Sequence, residues 1–534
     1  MHSEAPAPTG APKRPAGLFV RQSSGLVREV STADTLFYGI AQMGLAFVIF
    51  TILSWAFYPG ASIVLSTAIA LVGTLAVGIT YALFSMAYPR SGGEYVFLSR
   101  VVHPMVGFVV SFSQTFWEAF YIGLNGAFVA LFGLSPLFST LGVQTGSGAL
   151  TDIGTWFSGK VGIFVTGTAV VLIFAFMLTR ATRSFFRVQR TVLIIGLASL
   201  TLSLVVVALG AVGVFDFRAH FDQEAGAGAY AHVIASAQKA GTDLSPGFSL
   251  GQTLNFMVWP AFSILFAVLS VSFGGEIRNI KRSQMIGIPG SMIIAAVILM
   301  LVPFLLTEAV GSDFLRATST GEFPDGLPNY ANTLSYLVAD SVPLTILMGI
   351  WTVVLIPYGA ATAMLYASRA VLAWGVDGLA PAKVAKVDPR HHAPANAVIV
   401  VAVVGEIILA LYAFTDLFVV LSGLLGFAIA FCAVTLAGIA FPWLKSDVFR
   451  SSPAAIRFLG MPLITFTGAV GSIFLLFIIY RTLVDDAQGA NTPTSIRTAI
   501  GVLVVGCAWF YVARMLQRRR GTDIDRRFSE IPIE

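Results

Sequence analysis

The chain has 534 residues, of which 56% are hydrophobic and 11% charged, and its mean hydropathy is +0.84. These values exclude a soluble globular protein and indicate a polytopic membrane protein. The formal net charge is +5. The basic residues lie in short segments between apolar runs, so their placement indicates the membrane topology and predicts no nucleic-acid partner. The two cysteines, Cys432 and Cys507, lie in apolar runs and predict neither a disulfide nor a metal site.

The chain begins with a segment rich in Ala, Pro, Ser and Gly, residues 1–30, which predicts a disordered tail without the apolar core of a signal peptide. The first apolar stretch, residues 33–57, is long enough to cross a bilayer and carries one charge, Asp34. Gly39, Gln42 and Gly44 interrupt it near its midpoint. This pattern predicts a helix that breaks at the membrane midplane and leaves backbone groups free to bind a solute.

Eleven further apolar segments predict twelve spans in all. They lie at about 62–88, 104–133, 161–179, 191–213, 252–275, 285–308, 343–373, 396–414, 417–442, 462–480 and 496–513. With a cytoplasmic N-terminus, 26 of the 32 Lys and Arg fall on the cytoplasmic side, so both termini are predicted to be cytoplasmic. The long links 214–250 and 309–342 are predicted to cap an outer vestibule.

The predicted organisation is a disordered tail (1–30), a core over 31–480, a last span over 481–514 and a basic cytoplasmic tail over 515–534. The core holds spans 1–10 at about 33–442 and span 11 at 462–480. The tails are too short to hold an additional folded domain.

Three motifs follow spans two, six and eight. They are YPRSGGEY at 88–95, FGGEIRN at 273–279 with Lys281 and Arg282 after it, and Ser368-Arg369 followed by DGLAP at 377–381. Each one alone is explained by polar capping and cytoplasmic positive charge. Together and in this order, they resemble the amino acid–polyamine–organocation (APC) superfamily of secondary transporters.

The resemblance implies an all-α membrane protein with twelve transmembrane helices and a LeuT-like fold. In this fold, spans 1–5 are mirrored by spans 6–10 as a 5+5 inverted repeat, and spans 11 and 12 are peripheral. The implied function is a permease in the cell membrane that moves an amino acid or related organic amine by alternating access, coupled to an ion or working by exchange. Its partners are then a small-molecule substrate and the lipid bilayer.

The resemblance also places a substrate site at breaks in spans 1 and 6. The site residues are expected to be Gln42, Met43, Gly44, Leu45 and Ala46 of span 1, Phe262, Ser263 and Phe266 of span 6, and Glu118 and Tyr121 of span 3. Gly44-Leu45-Ala46 stands where the family has Gly-x-Gly, and Phe266 stands where a glycine is usual. Pro260 could disrupt span 6 one turn earlier. An aromatic-lined site for an amine or other organic solute therefore stays open beside an ordinary amino acid.

Glu118 is an isolated charge in the middle of span 3, where charge is costly and usually functional. It is a candidate to bind a substrate amine or carry a coupling proton, and the structural alternative is a hydrogen bond to a neighbouring helix. Sodium near span 1 and Thr362 of span 8 is the other coupling candidate, and exchange without an ion is a third. Glu406 is expected to be structural. Glu276 and Asp377 are expected to pair with Arg278 or other basic residues as an inner gate.

Other function classes are weaker. An enzyme would need clustered nucleophile, acid–base or metal groups, whereas the spans hold isolated carboxylates and suggest no cofactor or metal. No glycine pair is followed by the Gly-Lys-Ser/Thr of a phosphate-binding loop. A transporter-like solute sensor is the remaining alternative. The sequence leaves the solute, the coupling ion and the oligomeric state open.

Overall fold

The computed structural model describes residues 26–43, 46–180, 182–415, 423–521 and 528. Over these residues it contains twelve helical segments long and apolar enough to cross a membrane, as the sequence predicts. Spans 1 to 12 are Thr32–Phe57, Ile63–Ala87, Pro104–Thr145, Lys160–Arg180, Thr182–Ala211, Leu250–Ser272, Ile280–Val310, Val342–Asp377, Ala395–Phe414, Leu424–Leu444, Leu463–Val484 and Pro493–Arg519. The chain is an all-α, multi-pass membrane protein.

Four spans consist of more than one helical piece. Span 1 comprises Thr32–Gln42, Ala46–Ser54 and a 3₁₀ turn at Trp55–Phe57, and span 3 comprises Pro104–Phe128, a π-helical segment at Val129–Leu134 and Ser135–Thr145. Span 6 comprises Leu250–Phe256, Val258–Leu265 and a 3₁₀ helix at Phe266–Ser272. Span 8 comprises Val342–Leu355 and Pro357–Asp377. The π-helical segment lets span 3 continue to Thr145, beyond its predicted end at 133. Pro136 is tolerated there because it lies in the first turn of the following helix.

Shorter elements join the spans. The helices are Glu94–Val101, Gly148–Ser158, Phe217–Ala225, Ala229–Lys239, Ser312–Ala317, Ala331–Leu337 and Ser446–Ser451, with 3₁₀ turns at Gly274–Glu276 and Asp486–Gln488 and an antiparallel strand pair, Arg457–Phe458 with Met461–Pro462. The predicted external links at 214–250 and 309–342 thus fold into helices. Glu94–Val101 is called the link helix below.

Each of spans 1 to 4 packs against the span that lies five further along the chain. Span 2 contacts span 7, span 3 contacts span 8, span 4 contacts span 9, and the interrupted spans 1 and 6 lie side by side. This pairing is the one expected of a 5+5 inverted repeat. Span 11 packs on spans 2 and 10, and span 12 packs on span 3, so both lie outside the repeat.

Burial distinguishes the spans at the centre from those at the periphery. In the most apolar 18-residue stretch of span 6, 83% of the residues are buried inside the protein. In the corresponding stretch of span 12, 22% are buried. Spans 1, 3 and 10 resemble span 6 in this respect. The peripheral spans expose apolar side chains such as Val504 and Ile473, as a lipid-facing surface requires. Any site at the centre of the bundle is therefore built from spans 1, 3, 6 and 10.

Each end of the bundle is covered. We call the end at which span 1 begins the basic end, because Arg100, Arg190 and Arg369 lie there. At the opposite end, the link between spans 7 and 8 covers span 1. The Arg316 guanidinium lies 3.6 Å from the centre of the Trp55 ring, and the Ser319 hydroxyl donates to the Leu53 carbonyl over 2.9 Å.

The predicted tails fall largely outside the described residues. Residues 1–25 of the amino-terminal tail are not among them, and Val30, its last residue, is buried. The Val30 N–H donates to the Glu276 carbonyl over 2.9 Å, and the Arg278 N–H donates to the Val30 carbonyl over 3.1 Å. Val30 is thus held in place by the end of span 6. At the carboxyl end, the helix of span 12 continues to Arg519, past the predicted start of the tail.

Candidate functional site

Span 1 is interrupted at the predicted position. Its first helix ends at Gln42 and its second begins at Ala46, while Gly44 and Leu45 lie outside the described residues. The Met43 N–H closes the first helix on the Gly39 carbonyl at 3.3 Å. The Ser263 hydroxyl of span 6 donates to the Met43 carbonyl over 3.4 Å. Span 6 therefore supplies a polar side chain to a backbone group that the helix end leaves free.

Span 6 changes its geometry twice without a glycine. The first helix stops before Met257, three residues ahead of Pro260. The cause is chemical, because Pro260 has no N–H to donate to the Phe256 carbonyl. The second helix ends at Leu265, and the tighter 3₁₀ helix begins at Phe266. The span therefore departs from regular α-helix both at the predicted break residue and before Pro260.

Glu118 of span 3 contacts span 1 at the end of the first helix of span 1. The Gln42 Nε2 donates to the Glu118 Oε2 over 3.2 Å, and both side chains are buried. The Glu118 Oε1 and the Gln42 Oε1 have no hydrogen-bond partner among the described residues. Burying a carboxyl oxygen or an amide oxygen without a hydrogen-bond partner costs free energy. Both oxygens can accept a hydrogen bond from an ammonium group or another N–H donor.

Four rings pack together and form what we call the aromatic cluster: Phe47 of span 1, Tyr121 of span 3, Phe266 of span 6 and Phe427 of span 10. Phe266 and Phe427 are in edge contact, with centroids 4.9 Å apart. Tyr121 lies 5.6 Å from Phe427 and 6.1 Å from Phe266, and Phe47 lies 5.9 Å from Phe266. Tyr121 is one turn from Glu118 on the same helix face, so the cluster and the carboxyl adjoin.

The structure therefore brings together most of the predicted site residues. Gln42, Glu118, Tyr121 and Phe266 belong to the contacts above, and Met43 and Ser263 meet at the break of span 1. Ala46 is buried at the start of the second helix. Phe262 is also buried, but it forms none of the ring pairs found among the described residues.

Thr362 lies beside span 1, and its hydroxyl and its carbonyl each take part in a hydrogen bond. Its hydroxyl donates to the Tyr358 carbonyl of its own helix over 2.7 Å. Its carbonyl accepts a hydrogen bond from the Tyr38 hydroxyl over 3.0 Å. Among the described residues, no group of three or more His, Cys, Asp and Glu side chains is placed to hold a metal ion.

Sequence reasoning missed Phe47, Phe427 and Tyr38. The chain has 43 Phe, and nothing in the sequence distinguishes the two that face the break. Tyr38 carried a weak signal, since it lies one turn before Gln42 on the interrupted span. Trp117, next to Glu118, instead faces span 10, where a Cβ on Gly426 would lie 1.9 Å from its indole nitrogen.

A buried ion pair lies at the basic end. The Arg369 Nε donates to the Glu276 Oε1 over 2.9 Å, and its Nη2 donates to the Oε2 over 3.1 Å. The Arg369 side chain is 0% exposed. The same Nη2 also donates to the Thr182 hydroxyl over 3.0 Å, which joins the ends of spans 6 and 8 to the start of span 5. The partner of Glu276 is therefore Arg369, while Arg278 is exposed.

Two further ion pairs hold the same end. The Arg100 Nη2 lies 2.8 Å from the Asp377 Oδ2, and the Tyr95 hydroxyl donates to that oxygen over 2.7 Å. At the start of span 1, the Arg190 Nη2 donates to the Asp34 Oδ1 over 2.6 Å. Glu406, far from these pairs, accepts a hydrogen bond from the Thr168 hydroxyl of span 4.

The comparison with known families agrees with this architecture. The family model described as amino acid permease matches residues 30–506, which cover both interrupted spans, Glu118 and the ion pairs of the basic end. Among curated proteins, no match to the chain was found. Because the match covers most of the chain, the protein belongs to the amino acid permease family.

Proposed function

We propose that the protein is a secondary transporter that moves an amino acid or related organic amine across the cell membrane by alternating access, with both termini in the cytoplasm. Membership of the permease family supports a transporter of amino acids or organic solutes. The observation that carries the finer proposal is Glu118, a buried carboxyl with an unpartnered oxygen beside the interruption of span 1. No cofactor is needed for this activity.

The chemistry of the site favours a solute with a cationic nitrogen. Glu118 can neutralise an ammonium group, and the faces of the aromatic cluster attract a cation or cover an apolar body. The Met43 carbonyl and the Ser263 hydroxyl, which meet where the first helix of span 1 ends, can bind the other polar end of the solute. Phe266 fills the position where a glycine would leave more room, so a compact amine or a small apolar amino acid fits this description.

Proton coupling through Glu118 is our proposal for the energy source. A carboxyl that alternates between a bound proton and a bound ammonium stays neutralised in both states, which a buried carboxyl requires. Sodium at Thr362 is the alternative, because the Thr362 hydroxyl donates its hydrogen to the Tyr358 carbonyl and keeps its oxygen lone pairs for an ion. The buried Glu276–Arg369 pair closes the basic end and would separate when the transporter opens to the cytoplasm.

Uptake into proteoliposomes tests the proposal. The probes are labelled alanine, leucine, phenylalanine, lysine, tyramine and spermidine, with and without an imposed pH gradient. We expect at least one probe to accumulate in response to the gradient, and Glu118→Gln to abolish uptake or its pH dependence. The matched control is Glu406→Gln, which replaces another span carboxyl that lies away from the site. Unchanged transport by Glu118→Gln at every pH would remove Glu118 from the mechanism.

A further inference from the structure

A second buried carboxyl lies in the link helix and is not used by the mechanism above. Glu94, from the PRSGGEY motif, is 1% exposed. The Tyr366 hydroxyl of span 8 donates to its Oε1, and its Oε2 has no hydrogen-bond partner among the described residues. It forms no ion pair with any described residue, in contrast to Glu276 and Asp377 nearby.

The ionisable side chains that surround Glu94 are mostly tyrosines, with a second carboxyl among them. The groups that face it from the packed spans are Tyr38 of span 1, Tyr81 of span 2, Glu118 of span 3 and Tyr366 of span 8, with Cys432 of span 10 beyond Tyr81. Two arginines of the basic end are already paired, Arg369 with Glu276 and Arg100 with Asp377. Arg90, four residues before Glu94, donates to the Pro89 carbonyl. Glu94 is therefore a buried acid that forms no ion pair with any residue that the structure describes.

Burial raises the pKa of Glu94 from 4.5 to about 8. A group that must both take up and give up a proton works best when its pKa lies close to the ambient pH. The link helix places this group at the basic end, below the substrate site.

Tyr38 lies within electrostatic range of both carboxyls. Its hydroxyl donates to the Thr362 carbonyl, and the charges of Glu118 and Glu94 both act on it. Gln114, one turn from Glu118 toward the basic end, adds a buried amide whose oxygen and nitrogen have no partner among the described residues. Tyr38 and Gln114 are thus buried polar groups in the region of the two carboxyls.

We propose that Glu94 is a second proton-binding residue of the transport cycle, which takes the proton from Glu118 and releases it at the basic end. In the transfer, the O–H bond of Glu118 breaks and an O–H bond of Glu94 forms, so Glu118 becomes a carboxylate and Glu94 becomes neutral. Glu94 then gives the proton to cytoplasmic water when the Glu276–Arg369 pair separates. This role rests on the proposed proton-coupled transport through Glu118.

The test separates net transport from exchange. Proteoliposomes carry a pH-sensitive dye in the lumen and receive alanine, leucine, phenylalanine, lysine, tyramine or spermidine from outside. Net proton-coupled uptake needs the proton to leave, so Glu94→Gln is expected to slow probe-driven acidification about a hundredfold. Exchange of a labelled probe for the same unlabelled probe replaces one ammonium with another at the Glu118 carboxylate and moves no proton, so exchange is expected to persist.

Two further variants complete the design. Tyr366→Phe keeps the carboxyl and removes the hydroxyl that binds it, and is expected to slow acidification while exchange persists. Glu406→Gln is the matched control and is expected to match the wild type in both assays. Acidification by Glu94→Gln at the wild-type rate, or equal loss of exchange and acidification, would overturn the role of Glu94. A wild-type protein that transports a probe without acidification would instead contradict proton coupling itself, and the role of Glu94 with it.

Discussion

Gln42 of span 1 donates a hydrogen bond to the Glu118 carboxyl of span 3 over 3.2 Å. The bond joins the last residue of the first helix of span 1 to the middle of a continuous helix. A movement of span 1 during transport therefore changes the surroundings of Glu118 directly. The remaining oxygen of each side chain is unpartnered among the described residues, so the pair has capacity for a solute or proton.

Tyr121 is expected to contribute to solute binding through its ring. Tyr121→Leu keeps an apolar side chain but removes the aromatic face, so the affinity for a cationic probe should fall about tenfold, or about 1.4 kcal/mol. The measurement is the dissociation constant of the probe that the wild type transports. The control is Tyr412→Leu in span 9, a partly buried tyrosine outside the aromatic cluster. Equal affinity for Tyr121→Leu and the wild type would place the solute elsewhere.

The Glu276–Arg369 pair is expected to behave as a buried ion pair. Glu276→Gln leaves the Arg369 charge buried and unpaired, which should cost about 3–5 kcal/mol of unfolding free energy. Replacing both residues, as Glu276→Gln with Arg369→Met, removes that charge and should recover most of the loss. Melting midpoints of the two single variants and the double variant make up the test. A double variant as unstable as the sum of the singles would show that the pairing is not what matters.

Gly123 is expected to tolerate no side chain, because spans 3 and 9 touch there. A Cβ on Gly123 would lie 2.6 Å from the Gly405 carbonyl oxygen and 2.8 Å from the Leu409 nitrogen, both backbone atoms. Gly123→Ala should therefore destabilise the fold by about 1–3 kcal/mol. Gly501→Ala in span 12 is the control, since nothing lies within 4 Å of its Cβ, and it should be neutral or slightly stabilising. An unchanged melting midpoint for Gly123→Ala would contradict this close packing.

Glu94 is expected to make stability depend on pH. Burial raises its pKa from 4.5 to about 8, so the folded protein holds this proton more tightly than the unfolded chain does. The stabilisation is fully present below pH 4.5 and is lost as the pH rises to about 8. The loss corresponds to about 1.4 kcal/mol per pH unit within that window. Glu94→Gln should flatten this dependence, and melting curves that stay parallel to those of the wild type would contradict it.

The number and order of the spans are readable from the sequence because each needs about 20 apolar residues. The importance of Glu118 can be predicted for the same reason, because a single charged residue within such an apolar run is unusual. Pairings between spans are not readable in this way. Arg369 lies 93 residues from Glu276, whereas Arg278, its neighbour in sequence, is exposed.

The aromatic cluster could not be predicted from the sequence either. Phe427 faces Phe266 only because span 10 packs on span 3 beside span 6, and its own sequence context is as apolar as that of every other span. Phe266 was identified as the position of a missing glycine. The structure adds the physical consequence, which is that a ring and a 3₁₀ helix occupy the place of a glycine-based break.

Thermal unfolding of the purified protein with each probe tests the central claim, that a solute binds beside Glu118, most directly. A probe present at 100 times its dissociation constant should add about 2.7 kcal/mol to the stability of the folded state and raise the melting midpoint. The account predicts such a shift for an amino acid or amine in the wild type and in Glu406→Gln, and its loss in Glu118→Gln. An equal shift in Glu118→Gln, or no shift with any probe, would contradict the account.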